Sequence, residues 1–197
     1  VKMEKESRQI EEENQSSQLV PHVVTYKVEN KLIFGRTLDD LTKLIDRNFV
    51  VSRIKHNDEV IIPNSDTTLQ EGDLLLVVLS LHDESALEAF IGRPVEMNWE
   101  AIPAPVVSRR ILVTRPEFNG RKIGSLRLRM GYRLNATRVN RAGLDLLANP
   151  NLELQIGDRL TVVGRIEDIN RLAEKLGNST KRLHEPNMVT LLSLIHI

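Results

Sequence analysis

The chain has 197 residues and carries 27 Lys and Arg against 27 Asp and Glu, so its formal net charge is zero. It contains no cysteine, which excludes a disulfide framework and thiolate chemistry, and its hydrophobic content of 41% is ordinary for a globular protein. No apolar run reaches the length of about 18 residues that a membrane helix needs, and no signal peptide opens the chain, so the segment is predicted to be soluble.

Residues 1–20 are polar and acidic, which predicts an exposed helix or a disordered lead. Residues 21–92 then show the β-branched runs of strands and the apolar period of helices. Thr37 and Asp83 are the predicted N-caps of the two helices. The predicted elements are a strand at Val23–Val28, a helix from Thr37 to Arg47, strands at Phe49–Ile54, Val60–Ile62 and Leu74–Leu79, and a helix from Asp83 that stops at Gly92.

Residues 93–107 contain three prolines and the only tryptophan, Trp99, and are predicted to form a stiff, extended linker. Residues 108–178 repeat the order of elements, and residues 179–197 form a tail. The predicted elements of the second part are strands at Ile111–Thr114, Leu134–Val139, Leu144–Leu147 and Leu160–Val163, with helices around Leu126–Met130 and over Glu167–Leu176.

One sequence occurs twice at a constant spacing of 85 residues, because Val28–Gly92 aligns with Val113–Gly177 without a gap. The matches fall on turn glycines and apolar strand positions, which indicates two copies of one folding unit. We call residues 21–92 copy one and residues 108–178 copy two. Each is predicted to be a β-α-β-β-β-α domain of the α+β class, a small mixed sheet with helices packed against it. Since a domain of roughly 70 residues is marginal alone, we expect the copies to pack on each other or on a second chain.

Two glycine–aspartate pairs occupy matched positions before apolar strands, Gly72-Asp73 in copy one and Gly157-Asp158 in copy two. Glycine tolerates positive φ, and aspartate accepts hydrogen bonds from nearby backbone N–H groups. Both pairs are therefore predicted to be structural turns. A cation bound by these aspartates is the alternative.

Catalytic and metal-binding motifs are missing from the sequence. It has no nucleophile elbow, no phosphate-binding loop and no dinucleotide fingerprint. Its five histidines lack metal-ligand spacing and are predicted to be exposed to solvent. The sequence predicts that the protein is not an enzyme and holds no metal or cofactor.

The charges are distributed unevenly along the chain. Residues 1–105 carry 11 Lys and Arg against 19 Asp and Glu, whereas residues 106–177 carry 14 against 7. The two halves can attract each other, or the basic half can face a nucleotide, a nucleic acid or anionic lipid headgroups. Nucleic acid is disfavoured, because only Phe118 and Tyr132 are available in the basic half to stack on bases.

Three arginines are the candidate ligand or interface residues. Arg53 and Arg138 occupy matched positions, and Arg141 lies close to Arg138 at the end of a predicted strand. Guanidinium groups bind carboxylates and phosphates through paired hydrogen bonds, which makes a small anionic or nucleotide ligand one candidate. The alternative is that Arg53 and Arg138 form ion pairs with acidic neighbours across the sheet or between domains.

Each copy resembles the TrkA C-terminal domain, also called the C-terminal RCK domain, a regulator of potassium conductance. The resemblance is carried by an ordered set: Gly-Arg-x-(Ile/Leu)-x-x-Leu, the arginine-bearing strand, then Leu-x-x-Gly-Asp-x-Leu-x-Val-Val. It covers Val23–Gly177 apart from the linker. The set occurs twice, which makes it more specific than any one of its short motifs.

A closer resemblance rests on the stretch Val113–Leu126, with Thr137–Gly143, Leu176–Ser179 and Glu185–Asn187. These residues look like the large cytoplasmic loop of the aspartate:alanine exchanger family of bacterial permeases. In that family two such domains sit between the halves of the membrane-spanning region. The resemblance implies one transmembrane helix before Val1 and another soon after Asn187.

The tail departs from the family pattern after Met188, where a long apolar helix is expected. Residues 192–197 read Leu-Ser-Leu-Ile-His-Ile. This hexapeptide resembles the translation of a transposon end used in sequencing libraries. We treat it as a candidate sequencing artefact and expect a genomic copy to continue from Leu191 into an apolar helix.

The resemblance implies a cytoplasmic, ligand-sensing regulatory module of a bacterial transporter, located at the inner membrane. Its implied partners are the transmembrane halves of the same protein and a second copy in a homodimer. Two alternatives stay open. One is an RCK-type regulatory subunit that controls potassium or other cation transport, and the other is a dimerisation scaffold that binds no ligand.

Overall fold

The computed structural model describes residues 20–177. The predicted polar lead, except residue 20, and the predicted tail with residues 192–197 lie outside this range. Two four-stranded sheets make up the described part, one in each copy. Within residues 20–177, every helix is too short or too polar to cross a membrane.

The order of elements is the same in both copies. Copy one contains β1 (Pro21–Lys27), α1 (Leu38–Ile45), β2 (Phe49–His56), β3 (Glu59–Ile61), β4 (Leu74–Ser80) and α2 (Glu84–Ile91). Copy two contains β5 (Val107–Leu112), α3 (Leu128–Tyr132), β6 (Asn135–Arg141), β7 (Leu144–Leu147), β8 (Arg159–Gly164) and α4 (Ile166–Leu176). The predicted α+β class and the tandem β-α-β-β-β-α order are confirmed.

The strand order is β1-β4-β2-β3 in the first sheet and β5-β8-β6-β7 in the second. All described strand pairs are antiparallel, whereas the sequence predicted small mixed sheets. The difference arises because β4 lies between β1 and β2 and runs antiparallel to both. The two strands joined by the first helix are thus parallel to each other but never adjacent.

The first helix begins with a capping box. Thr37 accepts a hydrogen bond from the backbone N–H of Asp40, and the Asp40 carboxylate accepts one from the backbone N–H of Thr37. The bond from the Thr37 backbone N–H, together with one from the Thr37 hydroxyl, lowers the pKa of the Asp40 carboxyl. The helix ends at Ile45, two residues before its predicted end, because Asp46 adopts φ of 49°.

The sequence predicted that Asp83 caps the second helix, but its side chain makes no hydrogen bond to the start of that helix. Its carboxylate instead accepts a hydrogen bond of 2.8 Å from the hydroxyl of Ser80. A short 3-10 turn at Leu81–Asp83 precedes the helix.

An apolar core lies between the sheet and the helices of each copy. In copy one the fully buried residues include Tyr26, Leu75 and Leu87. Their matches in copy two, Ile111, Leu160 and Leu172, are buried to the same degree. Each such side chain contributes about 1.5–3 kcal/mol, so each copy stabilises itself chiefly through this core.

A buried carboxylate closes the turn that precedes β4 and β8. Asp73 is 3% exposed and accepts a 2.9 Å hydrogen bond from the backbone N–H of Gln70. Asp158 is 1% exposed and accepts the matching 2.8 Å bond from Gln155. The glycine before each aspartate has φ of 84° or 92°, a conformation that costs a residue with a Cβ more than it costs glycine. Both glycine–aspartate pairs thus lie in turns.

Each carboxylate also binds a side chain from the end of the neighbouring strand. In copy one, Asp73 Oδ1 lies 2.7 Å from His56 Nδ1. In copy two, Arg141 donates to both oxygens of Asp158, at 2.9 and 2.8 Å. The hydrogen bond to Asp158 raises the pKa of Arg141. The same turn is held by an imidazole in one copy and by a guanidinium in the other.

We predict that Asp158→Asn lowers the free energy of unfolding by about 2–3 kcal/mol, since it leaves a partly buried Arg141 without its carboxylate. Urea titration of the 197-residue chain, followed by circular dichroism, measures the change. Glu174→Gln removes an exposed carboxylate from α4 and is the matched control, with a change below about 0.5 kcal/mol. Equal stability of the two variants contradicts the prediction.

Candidate ligand-binding groove

The two sheets meet through the faces that their helices leave uncovered. Strand β2 contacts β6, and β7 contacts both β1 and β4. Val78 and Val163 are each 3% exposed although neither belongs to an apolar core of its own copy. These matched valines lie on the second face of β4 and β8. The copies therefore pack on each other, as the small size of each predicted.

Asn135, at the start of β6, links the copies by hydrogen bonds. Its side chain is 2% exposed, and its Nδ2 donates to the carbonyl oxygen of Val51 at 3.0 Å. Its Oδ1 accepts from Nε of Arg129 at 2.8 Å. The matched residue in copy one is Val50, which has no polar side chain. The link is thus made from copy two only.

Each central strand has a β-bulge at the matched position. The pairing with β4 shifts between Val51 and Arg53, and the pairing with β8 shifts between Ala136 and Arg138. The skipped residues, Ser52 and Thr137, are 3% and 4% exposed. A bulge changes the direction of the side chains that follow it. Both candidate arginines, Arg53 and Arg138, come directly after a bulge.

A groove of about 430 Å³ lies where the two sheets face each other. Four arginines and one aspartate line it, so its charge is strongly positive. Much of its lining consists of matched residues, so it has approximate twofold symmetry. The matched pairs are Val23 and Ser108, Ser52 and Thr137, Arg53 and Arg138, Leu76 and Thr161, and Val78 and Val163, and the other lining residues are Arg109, Arg110 and Asp145.

Arg53 is the electrostatically unusual residue of the groove. Its Nε is buried and has no hydrogen-bond partner among residues 20–177. Burial lowers the pKa of its guanidinium, and the carboxylate of Glu100 acts in the opposite direction. An unpaired buried donor costs about 1–3 kcal/mol, more when it is charged. Arg53 therefore lines the groove with a buried donor that no residue of the described part satisfies.

The linker reaches the same region. Its backbone pairs with β1, since Val95 N–H donates to the carbonyl of Thr25 at 2.8 Å. Trp99 is 8% exposed, and its Nε1 donates to the hydroxyl of Thr25 at 2.8 Å. These bonds hold Glu100 near Arg53, where its carboxylate acts to raise the pKa of the guanidinium. The predicted linker is thus hydrogen-bonded to β1 of copy one.

The structure separates Arg141 from Arg53 and Arg138. Arg141 binds Asp158 on both oxygens and also donates to the carbonyl of Glu153 at 2.7 Å. Its donors serve the turn of copy two, and it does not line the groove. Sequence reasoning missed Arg109 and Arg110, for which the excess of basic residues in this half was the available signal.

The histidines differ in their surroundings. His82 is exposed, as predicted, whereas the side chains of His22 and His56 are 32% and 35% exposed and each contacts a carboxylate. His184 and His196 lie outside the described residues. Within residues 20–177, no three histidine or acidic side chains are grouped closely enough to hold a metal ion.

A family model described as TrkA-C domain matches residues 23–92 and 107–177. The two matches coincide with the two sheets and their helices.

Similar proteins are bacterial transporters by name. An uncharacterized transporter of Bacteroides thetaiotaomicron is 47% identical over 97% of this chain and 34% of its own length. An uncharacterized transporter of Porphyromonas gingivalis is 38% identical over 92% of this chain and 34% of its own length. The chain spans about a third of the length of these curated relatives.

Two solved structures with RCK domains are also similar. The GsuK RCK domain aligns over 80% of this chain and 63% of its own, with 11% identity and a TM-score of 0.38. The RCK C domain of the potassium transport protein KtrA in complex with cyclic diadenosine monophosphate aligns over 36% of this chain and 80% of its own, with 28% identity and a TM-score of 0.31.

We predict that Asn135→Val weakens the packing of the copies by about 1–3 kcal/mol, because the change leaves the buried Val51 carbonyl without its donor. Trp99 fluorescence reports on copy one, and circular dichroism reports on both copies. The expected result is a lower urea midpoint for the variant. Exposed Asn151→Ala is the control, and a variant midpoint equal to that of the control contradicts the prediction.

Proposed function

This chain belongs to the TrkA-C domain family, and we propose that its two domains, with limits at 21–92 and 108–178, form the cytoplasmic ligand-sensing module of a bacterial membrane transporter. The module regulates transport and catalyses no reaction. The names of the relatives support this proposal, as does their length of about three times that of this chain. The remaining two thirds offers room for membrane-spanning halves on both sides.

The ligand in this proposal is a small anion held in the groove between the sheets. The observation that carries it is the buried, unpaired Nε of Arg53 in a groove with four arginines. Arg53 and Arg138 approach the ligand from opposite copies, and Arg109 and Arg110 add positive charge. Guanidinium groups suit phosphate or carboxylate oxygens, so nucleotides and dicarboxylates are the candidate classes. Arg141 has a structural role here.

The groove provides a route from binding to regulation. A ligand that bridges Arg53 and Arg138 favours one relative orientation of the two sheets. Each copy is proposed to connect to a different transmembrane half, so this orientation biases the conformational equilibrium of the transporter. The ligand acts only through its unequal affinity for the two orientations.

The proposed transporter is of the aspartate:alanine exchanger type and lies in the bacterial inner membrane, with this module on the cytoplasmic face. The motifs in Val113–Leu126 and Thr137–Gly143 support the assignment. A homodimer is the proposed assembly, through surfaces other than the one that the copies use for each other.

Thermal shift of the 197-residue chain tests the ligand proposal, with phosphate, pyrophosphate, adenine mononucleotides, cyclic diadenosine monophosphate, aspartate and succinate as probes. We expect at least one anion to raise the melting temperature. Arg53→Ala and Arg138→Ala should each weaken the binding of that anion on the order of tenfold or more, because each removes a charge-assisted hydrogen bond.

Arg121→Ala is the matched control, since it removes the same charge from an exposed position outside the groove. The control should bind the anion about as well as the unchanged chain. Equal weakening in all three variants would show a general charge effect and refute the groove. A chain that responds to no anion would favour the scaffold alternative.

A further inference from the structure

The two copies differ at the residue that holds the buried carboxylate, and the difference leaves a cavity in copy one. His56 occupies the position of Arg141. In copy two the Arg141 guanidinium spans from Asp158 to the carbonyl of Glu153, at 2.7–2.9 Å. The shorter imidazole of His56 contacts Asp73 only.

The space next to His56 is a cavity of about 370 Å³. Its lining includes His56, Asp73 and Thr68, and Thr68 is the match of Glu153. Among residues 20–177, no donor is found for the Thr68 carbonyl, whose counterpart at Glu153 accepts from Arg141. The cavity is thus lined by both residues that match the acceptors of the guanidinium in copy two.

The charges around the cavity also differ between the two copies. Copy one has Glu59 and Asp66 where copy two has Leu144 and Asn151. Both acidic residues line the cavity together with Asp73, and no lysine or arginine does. The exchange replaces an internal cation by two further negative charges, so the cavity favours a positively charged occupant.

We propose that this cavity binds an organic cation with a guanidinium or primary ammonium head, which takes the place that the Arg141 side chain fills in copy two. The head donates hydrogen bonds to the Asp73 carboxylate and the Thr68 carbonyl. Exposed Glu59 and Asp66 attract the positive charge at the entrance. The site lies within copy one and is separate from the groove between the sheets, so it does not depend on the proposed anion.

Agmatine is the probe, because it carries a guanidinium and an ammonium and has no carboxylate. It is titrated into the 197-residue chain and followed by backbone amide chemical shifts. We expect saturable shifts at residues 54–73 and none at the matched residues 139–158. His56→Arg should weaken agmatine binding at least tenfold, because the introduced guanidinium fills the cavity as Arg141 does in copy two.

A second variant keeps the test independent of the folding of His56→Arg. Glu59→Leu combined with Asp66→Asn replaces two exposed residues of the cavity by those of copy two. Each of the two changes should weaken agmatine binding about twofold to fivefold. Glu96→Gln removes an acidic charge from the linker, outside the cavity, and should leave binding unchanged. The proposal is overturned if agmatine does not bind at concentrations on the order of 10 mM, or if it binds all variants equally.

Discussion

Each four-stranded sheet has two faces, and its helices cover only one of them. The second face includes Val78 in copy one and Val163 in copy two, which must also leave water. Each copy covers this face with the other copy. Because polar and charged residues share the face with the valines, the contact is not a continuous apolar core, and a positively charged groove stays open within it. The candidate site is thus a consequence of how two incomplete domains complete each other.

The duplication keeps some residues equal and lets others diverge, and the divergence follows the physical role of each position. Arg53 and Arg138 both follow a bulge, so these two arginines enter the groove from matched positions, whereas Arg109 and Arg110 come from copy two alone. The partner of the turn carboxylate is an imidazole in one copy and a guanidinium in the other. The first arrangement leaves a cavity and the second fills it. Two copies of one fold therefore offer two chemically different environments, an arginine-rich groove between the sheets and an acidic cavity in copy one.

Local pattern predicted the fold well because each element is encoded by neighbouring residues. The apolar periods predicted the order of the strands and helices, and Thr37 predicted the start of the first helix. The predicted strand Ile111–Thr114 was displaced, because β5 runs over Val107–Leu112. The predicted mixed sheet was wrong, because the chain does not reveal that β4 inserts between β1 and β2. For the groove, the match of Arg53 with Arg138 was visible at a spacing of 85 residues. The bulges that reorient them depend on pairing with distant strands and were not visible.

The sequence by itself determined that there are two copies and that each is an α+β unit with a tight Gly-Asp turn. It also singled out arginines as the candidate ligand or interface residues. These properties rest on spacing and on backbone preferences that act within a few residues. Only the tertiary structure decided which arginines meet. It brought Arg53 and Arg138 to one groove and bound Arg141 to Asp158, because contacts between residues far apart in the chain depend on how the sheets pack. The link from Asn135 to Val51 has the same origin, since it joins residues 84 positions apart.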